Sequence, residues 1–245
     1  KAVMVGKLVA ERAKAKGIVV IPGTGFDVVP TDALAAMLKR ELPDATELVL
    51  AFDAGGGPSQ GTAKTAVEGL ASGGKIRRDG QLVSVPLAYK TREFEFEGER
   101  RFAMTIPWGD VYTAYVSTGI PNIEVYMGVP PKTAERVRRL NFIRPLLGLG
   151  FVQSWLKSQA TKRGPGPSED KRDQTRTVVW GEARNAAGRE LRRVLVTPNG
   201  YNLTAHASFG ILQRVLSDKP AGGFYTASQL MGPDYVLGLP GVRMQ

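Results

Sequence analysis

The sequence predicts an α/β protein, α+β in detail, in which a mixed β-sheet is covered by helices and a short piece of parallel sheet stands in front. Three observations carry that expectation. The run Gly17-Ile18-Val19-Val20-Ile21-Pro22 is continuously apolar and β-branched, lies between helical patterns, and reads as a strand buried on both faces of a parallel sheet. Residues 94–106 alternate with period two around Glu97-Gly98-Glu99, which predicts a hairpin with one wet face. Residues 175–184 and 190–196 flank Asn185-Ala186-Ala187-Gly188 as a second hairpin, its outward face basic.

Composition narrows the function classes. The chain has 245 residues, of which 42% are apolar and 23% charged, so it is globular, not disordered, collagenous or coiled-coil. Cysteine is absent, which removes disulfides, zinc fingers, iron–sulfur ligation and thiol catalysis. A single histidine, His206, leaves no His-rich metal site, and no metal is expected. No apolar run is long enough to cross a bilayer and no signal-peptide pattern opens the chain, so a soluble, cytoplasmic protein is expected. The net charge is +10, and residues 132–196 hold fifteen Lys/Arg against six Asp/Glu, a net +9. Such a patch suits nucleic acid, an anionic membrane surface or an acidic ligand. The motifs of nucleic-acid binders are missing, so no nucleic acid is expected.

In chain order, residues 2–13 keep an apolar stripe at helical spacing without a preceding cap, and the chain opens on Lys1, as if a piece in front were missing. After the first strand, Gly23-Thr24-Gly25-Phe26-Asp27-Val28-Val29-Pro30 is a loop, and Thr31-Asp32 reads as the capped first turn of a helix reaching Lys39. Gly23-x-Gly25 between strand and helix is the opening of a dinucleotide fingerprint, but Val28 stands where its third glycine belongs. A tight turn at the carboxyl end of a strand, or contact with a cofactor bound mainly elsewhere, both fit. Residues 48–52 predict a strand, Gly55 to Gly61 a flexible loop, and residues 62–70 a helix capped by Thr62, whose start is able to hold an anion or carboxylate.

Trp108, Asp110, Tyr112, Tyr115 and Ser117 crowd into the polar-aromatic stretch before the strand at 123–127. A carboxylate among hydroxyls and rings suits substrate orientation and proton transfer, although Asp110 is equally a helix cap. Residues 132–140 form a basic helix, and the following segment to Leu156 is the most apolar in the chain. It suits a membrane interface, the cover of a greasy pocket, dimer packing or ordinary core. Residues 162–173, with Gly164-Pro165-Gly166-Pro167, read as an exposed loop. Residues 201–216 form a long helix carrying His206 in a structural role, and the tail, residues 222–227 and then 232–237, reads as loop, short helix and edge strand.

Several of these stretches together carry a resemblance: Ile21-Pro22-Gly23-Thr24-Gly25-Phe26-Asp27-Val28-Val29-Pro30-Thr31-Asp32, Gly61-Thr62-Ala63, Ile106-Pro107-Trp108-Gly109-Asp110, Ser117-Thr118-Gly119-Ile120-Pro121-Asn122-Ile123 and Gly232-Pro233-Asp234. In order along nearly the whole chain, they resemble the saccharopine dehydrogenase-like oxidoreductases, and within them the bacterial branch that includes trans-acting enoyl reductases. The resemblance implies hydride transfer from NAD or NADP to an imine or activated double bond, by a homodimer, on a small-molecule substrate such as a hydrophobic acyl compound. The Rossmann fingerprint of that family is not in this sequence. Residues 1–44 then correspond to the end of a dinucleotide-binding domain and residues 45–245 to the substrate-binding and dimerisation domain, with no cofactor expected on this chain alone. On this reading the catalytic candidates are Asp27, Asp110 and Tyr112, the cofactor contacts Gly23, Gly25, Phe26 and Thr31, and the substrate contacts Thr62, Trp108, Tyr115 and Ser117. The alternative is a non-catalytic module docking on an anionic membrane surface or acidic partner, with peripheral membrane contact through the basic and apolar region.

Overall fold

The structure is a computed structural model that describes residues 2–54, 60–96, 98–161 and 168–245. Residues Gly55 to Ser59 of the glycine loop, Glu97 at the hairpin tip and the Gly164 to Pro167 run lie outside the described residues. The chain opens with α1 (Ala2–Ala15), β1 (Val19–Val20), α2 (Val29–Glu41), β2 (Ala45–Ala54) and α3 (Gln60–Gly69). Two hairpins follow, β3 (Gly74–Arg78) with β4 (Gln81–Val85) and β5 (Thr91–Phe96) with β6 (Glu99–Thr105). Next come α4 (Asp110–Thr118), β7 (Asn122–Gly128), α5 (Pro131–Arg139), a 3₁₀ segment (Leu140–Gly148) and α6 (Gly150–Thr161). The chain closes with α7 (Glu169–Gln174), β8 (Arg176–Asn185), β9 (Glu190–Pro198), α8 (Gly200–Asp218), β10 (Gly223–Phe224), α9 (Ala227–Met231), a 3₁₀ segment (Pro233–Gly238) and β11 (Arg243–Met244).

The main sheet is mixed, as the hairpins imply. Its spine is β11-β9-β8-β2-β7, with β2 and β7 parallel and the other neighbours antiparallel. Beyond β7 the sheet divides: β3 meets the first half of β7 at Arg77 and Ile123, and β6 pairs with its second half from Ala103 to Thr105. One face carries Leu48, Leu50 and Phe52 of β2 with Ile123 and Val125 of β7, and buries them under α2, α4 and α8. Contact is closest at Gly181, where a Cβ would stand 2.9 Å from methyl carbons of both Leu34 and Leu38, so α2 rests directly on β8. The opposite face is less open than a wet hairpin face would be. Glu182 is buried there, accepts a fork from Arg92 at 3.2 and 2.7 Å and a third bond from Arg192 at 3.1 Å, and the Arg92 guanidinium lies 5.2 Å from the ring centres of both Phe94 and Trp180. The long stems of these arginines cover apolar surface that bare alternation assigns to solvent.

Several boundaries differ from the sequence expectation, each for a local reason. The first strand is only Val19–Val20, half-buried and not enclosed; its one partner among the described residues is the parallel β10 from the tail, and Ile18 is 50% exposed. Gly222 permits this pairing, because a Cβ there would lie 2.5 Å from the Gly17 Cα. The polar-aromatic stretch after Trp108 folds as α4, since Gly119 at φ 69° ends a full helical run. Thr62 lies inside α3, which begins at Gln60. Ser168 caps α7 within the expected loop, and the edge strand at the tail is β11, with residues 233–238 forming 3₁₀ turns instead.

Candidate active site

The first turns of α2 and α4 meet, and three carboxyl groups meet with them. At the start of α2 the N-cap is Val28, with φ 103° and no side-chain capping bond, not Thr31. Pro30 fits the first turn because no backbone donor is needed there. A β-branched residue in this region is strained by about 1–3 kcal/mol, and such strain gathers at functional sites. What holds it is packing: Val28 is buried, and its Cγ1 stands 2.8 Å from where a Cβ on Gly109 would be. Gly109, the N-cap of α4, therefore lets the two helix starts touch.

Asp110, the first residue of α4, is fully buried. Its Oδ2 lies 2.7 Å from Thr31 Oγ1, which lies 3.1 Å from the Val28 carbonyl. Thr31 is the donor, and its one hydroxyl proton is shared between Asp110 Oδ2 and the Val28 carbonyl. Burial first, then the nearby charges of Asp32 and Asp27, hold the Asp110 carboxyl well above the usual carboxylate range, against the hydrogen bond from Thr31. Neither Asp110 Oδ1 nor Trp108 Nε1 has a hydrogen-bond partner among the described residues, although both are buried.

Asp32 has a different environment. Its Oδ2 accepts the Ser228 backbone N–H at 2.8 Å and its Oδ1 accepts the Ser117 hydroxyl, which also lies 2.7 Å from Thr226 Oγ1. Burial raises its pKa, while those bonds pull the other way. This network ties α2, α4 and α9 together, and it occupies Ser117. Asp27 alone of the three reaches solvent: the residue is exposed, its Oδ1 is 3.5 Å from the Cβ position of Gly109, and partial burial of its carboxyl raises its pKa.

The remaining predicted residues divide between this centre and its supports. Trp108 packs on Phe52 at 4.8 Å between ring centres, and Phe26 meets the same ring edge-on at 5.5 Å, forming an aromatic wall. Tyr112 is half-buried and edges Phe224 at 6.4 Å. Tyr115 carries the Arg77 guanidinium 4.1 Å above its ring. Thr62 is exposed on α3, an element packed on α6. An apolar hollow lined by Ala51, Phe94, Ala103 and Trp180 lies on the other sheet face; the one carboxylate on its lining, Asp53, is paired with Arg101 at 3.1 Å, so the carboxylate cluster is the better candidate.

Gly23 and Gly25 test whether the loop fits a dinucleotide. A Cβ on Gly23 would sit 2.5 Å from the Asp27 carbonyl, and one on Gly25 would sit 2.6 Å from the Thr204 methyl. Both are small because the protein itself fills the space, Phe26 N donating to Thr204 Oγ1 at 2.9 Å. Packing within the protein thus accounts for both glycines without a pyrophosphate. Gly25→Ala is accordingly expected to cost about 1–3 kcal/mol by overpacking against α8, measured by urea denaturation.

Sequence reasoning missed Asp32 as a network centre, reading it as a cap, and gave Arg77 no role. No family model matches the chain, and no curated protein matches it. Among solved structures, apo histidine-tagged saccharopine dehydrogenase (L-Glu forming) from Saccharomyces cerevisiae is similar over 98% of this chain and 77% of that chain, with a TM-score of 0.56 and 11% sequence identity. At that identity the likeness is one of architecture: this chain has a saccharopine dehydrogenase-like α/β fold.

Proposed function

We propose that this chain forms the substrate-binding and dimerisation portion of an NAD(P)-dependent oxidoreductase that reduces an imine or an activated C=C bond, in the manner of the branch that includes trans-acting enoyl reductases. The observation that carries this reading is the carboxyl cluster at the strained Val28 turn, set in a dehydrogenase-like fold: exposed Asp27 in front, and behind it the buried Asp110, whose pKa burial raises. The nicotinamide supplies the hydride. The residues of this chain supply the proton side of the reaction and the pocket walls.

Asp27 is the group a substrate can reach, and its raised pKa keeps a proton on its carboxyl into weaker acid than an ordinary aspartate does. Asp110 acts as a positioning residue, through Thr31 and the Val28 carbonyl. Phe26 and Trp108 provide an apolar wall for an acyl group. Since Gly23 and Gly25 are packed against the protein itself, the main nucleotide site belongs, on this reading, to polypeptide outside this sequence. Residues 1–44 are then the end of that domain, which the exposure of Ile18 and the side of β1 left unpaired among the described residues support. The test is oxidation of NADH or NADPH by the intact polypeptide that contains this chain, offered a cyclic imine or an enoyl thioester. Turnover of either supports the proposal, and absence of turnover with both acceptor classes overturns it.

A further inference from the structure

We propose that the exposed apolar ridge over residues 142–155, with the cationic side of α5 beside it, docks the protein on an anionic lipid surface, lying on the bilayer without crossing it. Phe142 is 90% exposed, Phe151 75%, Trp155 60% and Leu146 56%, while Leu147 turns inward. Scattered surface hydrophobics are ordinary; a run of large side chains at such exposure marks an interaction surface. Among the described residues they belong to none of the core clusters.

The ridge is also held in place from behind. Asn141 accepts the Leu87 N–H at 2.8 Å and donates to the Leu87 carbonyl at 3.0 Å, and Gln153 Nε2 donates to the Val67 carbonyl at 3.2 Å. The apolar side chains are thus presented on a fixed frame. No described helix is long and apolar enough to cross a membrane, so insertion is limited to the interface.

Charge selects the partner. Residues 131–161 contain six cations, Lys132, Arg136, Arg138, Arg139, Arg144 and Lys157, against the single acid Glu135. Arg138 is turned onto the Ala88 carbonyl and Lys157 pairs with Glu68 at 2.6 Å, whereas Lys132, Arg136 and Arg139 are exposed along α5, the last three residues before Phe142. A second copy docked symmetrically through this ridge would bring two cationic α5 surfaces together, in a chain that already carries +10. An anionic headgroup layer neutralises them, and aromatic side chains beside cations suit its depth.

The experiment is co-sedimentation of the chain with vesicles of phosphatidylcholine alone or mixed with phosphatidylglycerol, with tryptophan emission read alongside. Binding to the anionic vesicles is expected, with a blue shift that Trp155→Phe abolishes. Raising salt from about 0.05 M to about 0.5 M should weaken it. Arg136→Glu with Arg139→Glu should weaken it by more than about tenfold, and Phe142→Ser with Phe151→Ser should remove the blue shift. All of these positions are exposed, so unchanged melting curves verify that the variants fold. Absence of binding, binding indifferent to the Phe142 and Phe151 changes, or a dimer in sedimentation that those changes dissociate would each overturn the proposal.

Discussion

Asp27→Asn is expected to lower turnover by about 10²–10⁴-fold, the range that loss of a positioned general acid produces. Thermal stability should change by no more than about 0.5 kcal/mol, because the residue is exposed. Its pH profile carries the sign: a general acid works in the protonated form, so wild-type activity should fall as pH rises through the raised Asp27 pKa, and the variant should lose that limb. Asp110→Asn gives a separable result. The folded-state pKa of Asp110 is raised, so the stability it contributes is full below the unfolded value of about 3.9 and is lost as pH climbs through the folded value. Asparagine keeps one donor and one acceptor toward Thr31 and cannot ionise; stability should therefore become flatter with pH and no lower at neutral pH. A steep pH dependence surviving in Asp110→Asn would show that the buried carboxyl is not its source.

Arg77→Ala is expected to cost about 3–5 kcal/mol. The side chain is 1% exposed, donates Nε to the Val111 carbonyl at 2.9 Å and Nη1 to the Gly80 carbonyl at 2.6 Å, and covers the Tyr115 ring. No carboxylate faces it among its described bonds, and burial lowers its pKa, ahead of the opposing effect of Tyr115 and Tyr112. Its worth therefore lies in two carbonyls and a ring, which pin the β3–β4 turn to the first turn of α4. Lysine keeps the charge but not the planar fork, so Arg77→Lys should recover little. Chemical denaturation measures both; a loss below about 1 kcal/mol for the alanine variant would show that the α4 start is held without the fork.

What the sequence reveals of this molecule follows from how local each signal is. The hairpins at 91–105 and 176–198 are legible because alternation and turn residues sit next to each other in the chain. The β3–β4 hairpin escaped although Asp79-Gly80 is a strong turn signal; both residues have positive φ, 49° and 74°. Pairing of Val19–Val20 with Gly223–Phe224 joins segments about two hundred residues apart, and no local pattern encodes it. Asp110 and Asp27 are visible as carboxylates near glycines. That Asp32 would turn away from its own helix to accept Ser228 N–H depends on α9 docking beside it, a tertiary fact. The strained Val28 is likewise invisible, since valine in a sequence signals a strand and not a left-handed cap.

Titration of NADH and of NADPH into the 245-residue chain by calorimetry probes the division of labour most directly. With Gly23 and Gly25 filled by Val28 and Thr204, neither nucleotide should bind with a dissociation constant below about 1 mM, a binding free energy of about −4 kcal/mol. Micromolar binding of either one to this chain would contradict the account, placing a nucleotide cradle among residues assigned here to the proton side of the reaction.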